Sequence, residues 1–209
     1  MEDIVILIPA AGDATRMRGR DKLLEPVDGL PLLARQVRVA EATGCPVLVT
    51  LRLRDTARHA ALATVGAPER IELTDADEGI AASLRAGAAW AGKRGAMGLM
   101  VFLADLPELE TADLLHMRAR FRHDPAKPLR ATDSNGQAGH PVIFPARLFG
   151  AMAQLSGDRG ARAILADEDV VWLSLPGRRA TLDLDTPEAW AEWRQRPIAS
   201  VSTNSSFGP

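Results

Sequence analysis

Cysteine is almost missing from this 209-residue chain, Cys45 being the single one. That excludes an internal disulfide and a multi-cysteine zinc site, and it fits a reducing compartment. Gly44 and Pro46 flank it, as for a thiol packed at a helix-to-strand turn with no activating base beside it. An excess of one charge is lacking too: 25 Lys and Arg stand against 27 Asp and Glu, a formal charge of −2. No broad cationic field is left to coat nucleic acid, although a local anion site remains allowed. No apolar run reaches the roughly 18 residues of a membrane helix, and the first apolar stretch, after Glu2 and Asp3, is too short for a signal sequence. A soluble cytoplasmic protein is the simplest expectation. Internal repeats are absent, and the scattered histidines form no metal-like pair.

What is present is concentrated near the amino terminus. Ile4 to Ile8 is short, continuous and β-branched, as expected of a strand covered on both faces in a parallel sheet. Ala10, Ala11 and Gly12 follow, small enough for the backbone to approach a ligand and turn its N–H groups toward phosphate oxygens. Arg16 and Lys22 lie just beyond and can add charge-assisted hydrogen bonds. A strand followed by an ordinary glycine loop with solvated basic residues has the same local pattern. The loop lacks the G-x-G-x-x-G spacing, no acidic residue follows the second strand at the usual ribose position, and no G-x-x-x-x-G-K-[ST] occurs. These absences argue against a dehydrogenase and a P-loop kinase.

Further along, strand and helix patterns alternate. Leu33, Val37 and Ala40 recur at helical spacing, and Val47 to Leu51 forms a second strand. A helix is expected over 55–64, a short strand over 70–73 and a helix over 79–90. Another apolar strand, 99–104, ends at Asp105-Leu106-Pro107, which sets a carboxylate at the sheet edge where ligands of parallel sheets bind. After a helix at 111–120 the pattern loosens into strands at 130–133 and 140–144 around a glycine-rich loop, the signature of a small antiparallel insertion. Helices at 148–155 and 161–166, strands at 170–173 and 181–184, and a last helix opened by Pro187 complete the chain. Asp183 and Asp185 alternate and so share a face of the expected strand; Asp185 or Thr186 can serve instead as helix cap, and Asp185 alternatively as a metal ligand. Residues 1–196 make one domain on this reading, and the serine-rich tail 197–209 is expected to be disordered. His140 alone reads as structural as readily as functional, and Asp158 as a cap for the helix that follows it.

These segments together resemble the MobA-like nucleotidyltransferases, and most of all their molybdenum cofactor cytidylyltransferase branch, from about Ile4 to Trp190. The resemblance lies in Ala10-Ala11-Gly12, Arg16-Met17, Asp21-Lys22, Gly79 through Gly87, Leu103-Ala104-Asp105-Leu106-Pro107 and Gly139-His140-Pro141-Val142. It continues through Gly157 to Arg162 and Asp183 to Pro187. It implies an α/β fold, a Rossmann-like three-layer sandwich of mainly parallel sheet (nucleotide-diphospho-sugar transferase-like). It also implies transfer of CMP from CTP to a molybdopterin-type cofactor with release of pyrophosphate. Lys22 and Arg16 would then stabilise phosphate charge, and Asp105 and Asp185 would hold Mg²⁺. Gly79 and Ser83 would border the nucleotide with the first loop; His140, Asp158 and Arg162 would border the acceptor. A molybdoenzyme or its chaperone would be the protein partner receiving product. GTP, another phosphorylated acceptor, or a nucleotide- or cofactor-binding protein without turnover are the competing readings. Ala11, where guanylyl-transferring relatives tend to carry a second glycine, favours a pyrimidine by about 1–3 kcal/mol. Pro9 and Arg18 depart from the family pattern.

Overall fold

The computed structural model describes residues 2–12, 17–157 and 161–196. The chain runs β1 (Ile4–Ala10), a 3-10 turn (Lys22–Leu24), β2 (Pro26–Val27), β3 (Leu30–Pro31), α1 (Leu32–Glu41), β4 (Val47–Arg52), α2 (Thr56–Leu62) and β5 (Glu69–Leu73). It continues through α3 (Ile80–Lys93), β6 (Gly98–Val101), α4 (Thr111–His123), β7 (Leu129–Thr132), β8 (Ala138–Pro145), α5 (Phe149–Met152), α6 (Ala161–Leu165), β9 (Val171–Ser174) and α7 (Pro187–Arg194). Seven strands form one sheet in the order β5-β4-β1-β6-β8-β7-β9, and only β8 runs against the rest. The expected antiparallel insertion is the β7–β8 hairpin, taken into the same sheet.

β1 is covered on both faces because its alternate side chains enter different layers. Ile4, Ile6 and Ile8 pack with Leu33, Val37, Leu114 and Met117, while Val5 and Leu7 pack with Leu84, Ala88 and Phe144. Helices therefore lie on each side of the sheet, giving the expected three layers. The chain leaves β1 for β4 on one side and later returns to β6 on the other. The ends of β1 and β6 thus border the crevice where an open α/β sheet binds its ligand. No described helix is long and apolar enough to cross a membrane.

Several local expectations are corrected. The strand over 181–184 does not form: the amides of Thr181 and Leu182 both donate to Arg178 O, and Asp183 N donates to Thr181 O. Those groups are satisfied within a turn, while Leu182 and Leu184 bury themselves against Trp190. The helix over 148–155 shrinks to α5 behind a 3-10 turn at Ala146–Leu148. β6 leaves the ladder after Val101, Phe102 N donating to Leu7 O at 2.9 Å, so the chain swings free before Asp105. The tail over 197–209 lies outside the described residues.

Candidate active site

Lys22 begins the 3-10 turn beyond the first loop, where Asp21 caps the turn by accepting from Leu23 N at 2.9 Å. Its ammonium lies 2.6 Å from Asp105 Oδ2 and 2.5 Å from Asp185 Oδ1, joining residues 83 and 163 positions away. Burial pushes the Lys22 pKa down, but Asp105 first and Asp185 second more than reverse this, and it ends above its ordinary value. The lysine is thus held charged between two carboxylates. Asp185 reaches it because Thr186, not Asp185, caps α7: the Thr186 hydroxyl accepts from Ala189 N at 3.2 Å, with Pro187 starting the helix.

The loop itself is held by an arginine that sequence reading overlooked. Arg58 is buried and donates to the carbonyls of Ala10 at 2.6 Å and Gly12 at 2.9 Å. It also grips Asp21 through two bonds of 2.7 and 3.0 Å. Asp55 caps α2 by accepting from Arg58 N and lies 3.4 Å from its guanidinium. The available signal was an arginine three residues after a capping aspartate, on a short alanine-rich helix. Replacing Arg58 by glutamine should lower unfolding stability by about 3–5 kcal/mol, because Asp21 and two loop carbonyls lose their partner. Urea denaturation measures this; a loss under about 1 kcal/mol would show that the loop does not depend on it.

Between these groups lies a cavity of about 220 Å³ bordered by Ala10, Gly12, Lys22, Gly79, Ser83 and Asp105. A Cβ built on Gly12 would meet no described atom within 4 Å, so no described neighbour requires glycine there, and its backbone borders the cavity. Gly79 sits at φ 69°, ψ −147°, a backbone conformation reserved for glycine, where the chain turns into α3. Ser83 is buried and accepts a hydrogen bond from Thr50 Oγ1 at 2.9 Å. Ala11 does not border the cavity. Its methyl packs with Leu73, Ala76 and Ala82 beneath the turn, so it can affect a base only by setting the gap between the loop and the start of α3.

A second cavity of about 260 Å³ adjoins the first, sharing Leu103 and Asp105 and adding Arg130, His140, Ala180 and Asp183. Gly139 makes this junction possible, since a Cβ there would lie 2.0 Å from Ala180 O, and His140 N donates to that same oxygen at 2.9 Å. Burial pushes the His140 imidazole down to about 4, Arg130 adding to the effect and Asp105 opposing it, so the ring is neutral at pH 7. The Asp183 carboxyl is pushed up, by desolvation first and then by Asp185 and Asp105. Arg162 is exposed on α6, and its charge reaches Arg130. The expected roles of Arg16 and Asp158 fall on positions outside the described residues.

Among the described residues no set of three or more His, Cys, Asp or Glu side chains could hold a metal by itself. A divalent ion nevertheless fits the Asp105–Asp185 pair when phosphate oxygens complete its shell. Asp105 Oδ1 is buried without a hydrogen-bond partner, a lone pair on the donor type that hard cations take.

Fold and site together define an α/β nucleotidyltransferase: a small-residue turn at the end of a central strand, a lysine, and two aspartates, one on the segment after β6 and one just before α7. Residues 6–171 match the MobA-like NTP transferase domain, and the chain belongs to that family. It is 29% identical over 195 residues to the purine catabolism protein PucB of Bacillus subtilis, covering 87% of this chain and 91% of that protein. The crystal structure of Rv0371c from Mycobacterium tuberculosis superposes with a TM-score of 0.78 at 29% identity, over 93% of this chain and 99% of that one. A manganese complex of Rv0371c gives 0.73 at 29% identity, over 91% and 97%.

Proposed function

We propose that this protein transfers CMP from CTP to a molybdopterin-type molybdenum cofactor, with Mg²⁺, releasing pyrophosphate. The observation that carries the reading is the Lys22 ammonium held between Asp105 and Asp185 at the mouth of the Ala10–Gly12 turn. A half-buried cation bound, among the described residues, by two carboxylates it can exchange for phosphate oxygens serves nucleotide chemistry better than stability, since such ion pairs contribute little net energy.

In this reading the nucleotide lies in the first cavity, its phosphates over the backbone at Ala10 and Gly12 and its ribose or base toward Gly79 and Ser83. Lys22 moves its hydrogen bonds from the carboxylates to the α-phosphate and the departing pyrophosphate, with Arg16 adding a second charge. Asp105 and Asp185, once released from the lysine, would hold the metal, which would supply positive charge to offset that of the phosphates. Arg58 keeps the turn rigid, so that the donors need no reorganisation as charge shifts. An oxygen of the acceptor's terminal phosphate forms the bond to the α-phosphorus while the α–β bridging bond breaks, and the electron pair leaves on pyrophosphate. No side-chain nucleophile is needed. The second cavity, sharing Asp105 with the first, is where His140 borders the acceptor; Arg162 does not line it and, like Asp158, is assigned to the acceptor by the family resemblance.

Support for the cytidylyl branch comes from the ordered family segments and from Ala11, which sets the floor between the turn and α3. Pyrophosphate release measured with each of the four nucleoside triphosphates, with and without molybdopterin-type cofactor, tests it. The expected result is release with CTP that depends on both cofactor and Mg²⁺. A strong preference for GTP or ATP would overturn the nucleotide assignment, and release only with another phosphorylated acceptor would overturn the acceptor.

A further inference from the structure

Arg130 lines the second cavity, and its environment differs from that of an arginine used for structure. Its Nε donates to Gly139 O at 3.0 Å, which fixes the guanidinium against β8. No described residue accepts from Nη1 or Nη2, and no described carboxylate pairs with it. Trp172, opposite Arg130 in the β7–β9 register, brings its ring centroid to 6.0 Å from the guanidinium carbon and holds the other side. The half-buried side chain thus keeps two N–H-bearing nitrogens for something that is not protein. Burial lowers its pKa and Arg162 lowers it further, so the charge is unrelieved where it stands. Beside it, His140 Nδ1 is buried without a hydrogen-bond partner.

We propose that Arg130 binds the phosphate of the acceptor in the cavity it shares with His140 and Asp105, and orients that phosphate toward the nucleotide. The inference rests on the nucleotidyl-transfer reading and names a residue that the family resemblance does not. A guanidinium with two adjacent free donors matches two oxygens of a phosphate, which a lysine could meet only as a point charge. The cavity is lined by charges of both signs. Asp105, which binds Lys22, and Asp183 border it, and they repel an acceptor dianion unless cations intervene; Arg130 is the cation in the same lining, the place where the anion is captured. Two cations, Lys22 on the nucleotide side and Arg130 on the acceptor side, then flank the carboxylates. Repulsion between the two reacting phosphates is the main electrostatic obstacle to the reaction, and this arrangement offsets it.

The test uses the full-length protein, with inorganic phosphate as probe and binding followed calorimetrically, both alone and with a CTP analogue that cannot release pyrophosphate. Arg130→Gln should weaken phosphate binding about tenfold or more, and Arg130→Lys should recover only part of the loss. CTP affinity should change less than twofold in both variants, and in turnover assays Arg130→Gln should raise KM for the acceptor but not for CTP. Phosphate binding equal in wild type and Arg130→Gln, with CTP binding intact, would overturn this inference and leave the nucleotide site standing. CTP failing to bind while phosphate binding still depends on Arg130 would overturn the nucleotide reading and leave the anion site supported. Full recovery by Arg130→Lys would overturn the two-point geometry.

Discussion

Lys22→Met is expected to cut kcat about 10²- to 10³-fold while weakening CTP binding less than tenfold, the signature of a group whose contacts strengthen as charge develops. The methionine keeps the volume and removes the cation. In the unliganded protein the same change leaves Asp105 and Asp185 facing each other without their shared ammonium, so thermal stability should fall when metal is absent. Added Mn²⁺ should restore much of it, because a divalent ion can take the lysine's place between the carboxylates. The combination matters more than either part. A simple binder would lose affinity and turnover in equal measure, and that outcome would favour a protein that carries nucleotide or cofactor without reacting them.

Asp105→Asn is expected to have an effect of similar size by a different route. An amide oxygen is a far weaker ligand for a hard cation than a carboxylate, and Asp105 Oδ1 is the buried acceptor that lacks a protein partner. Bound Mn²⁺, followed by electron paramagnetic resonance in the presence of CTP, should drop to the level of free CTP in solution. Turnover should fall about 10²-fold or more and lose its saturable metal dependence. Lys22 retains its bond to Asp185 in this variant, so the fold should be less disturbed than in Lys22→Met. An unchanged metal titration would remove Asp105 from the ligand set.

The two variants separate the cation that belongs to the chain from the one that must be brought in. Their order of binding follows from the same geometry. With Lys22 between the aspartates, a metal ion must displace an ammonium to reach both, and a nucleotide that draws the lysine onto its phosphates lowers that barrier. Metal affinity should therefore rise when CTP is present, and Lys22→Met should shrink the difference to what the phosphate oxygens contribute as ligands.

Much of this arrangement was legible in the residues because it is local. A β-branched run such as Ile4 to Ile8 can be satisfied only where both faces are covered, and small residues just beyond it can only be a turn or a close approach. The apolar run over 99–104 set Asp105 at a strand end, but β6 stops at Val101, and Asp105 lies beyond it on a segment that borders the cavity. The strand expected over 181–184 failed for an instructive reason. Alternation of Leu182 and Leu184 with aspartates fits a strand, yet the same alternation arises when two leucines fill a pocket beside Trp190 and the backbone closes on Arg178. Period alone does not tell which partner satisfies the amides.

Arg58 was missed for a related reason. A cation at helical spacing looks solvated, and only the approach of α2 to the first loop turns it inward onto Ala10, Gly12 and Asp21. Arg130 likewise reads as an ordinary strand residue until β8 and the turn after β9 enclose it.

The sequence by itself determined the alternating α/β order, the buried central strand, the small-residue turn at its end and the family, since each depends on side-chain period and short-range spacing. Only the tertiary structure decided which charges meet. Lys22, Asp105 and Asp185 lie on separate elements, and their meeting depends on β1 and β6 pairing side by side and on Leu182, Leu184 and Trp190 anchoring the segment that carries Asp185. Long-range packing fixes distances between charges, and no local pattern contains that information.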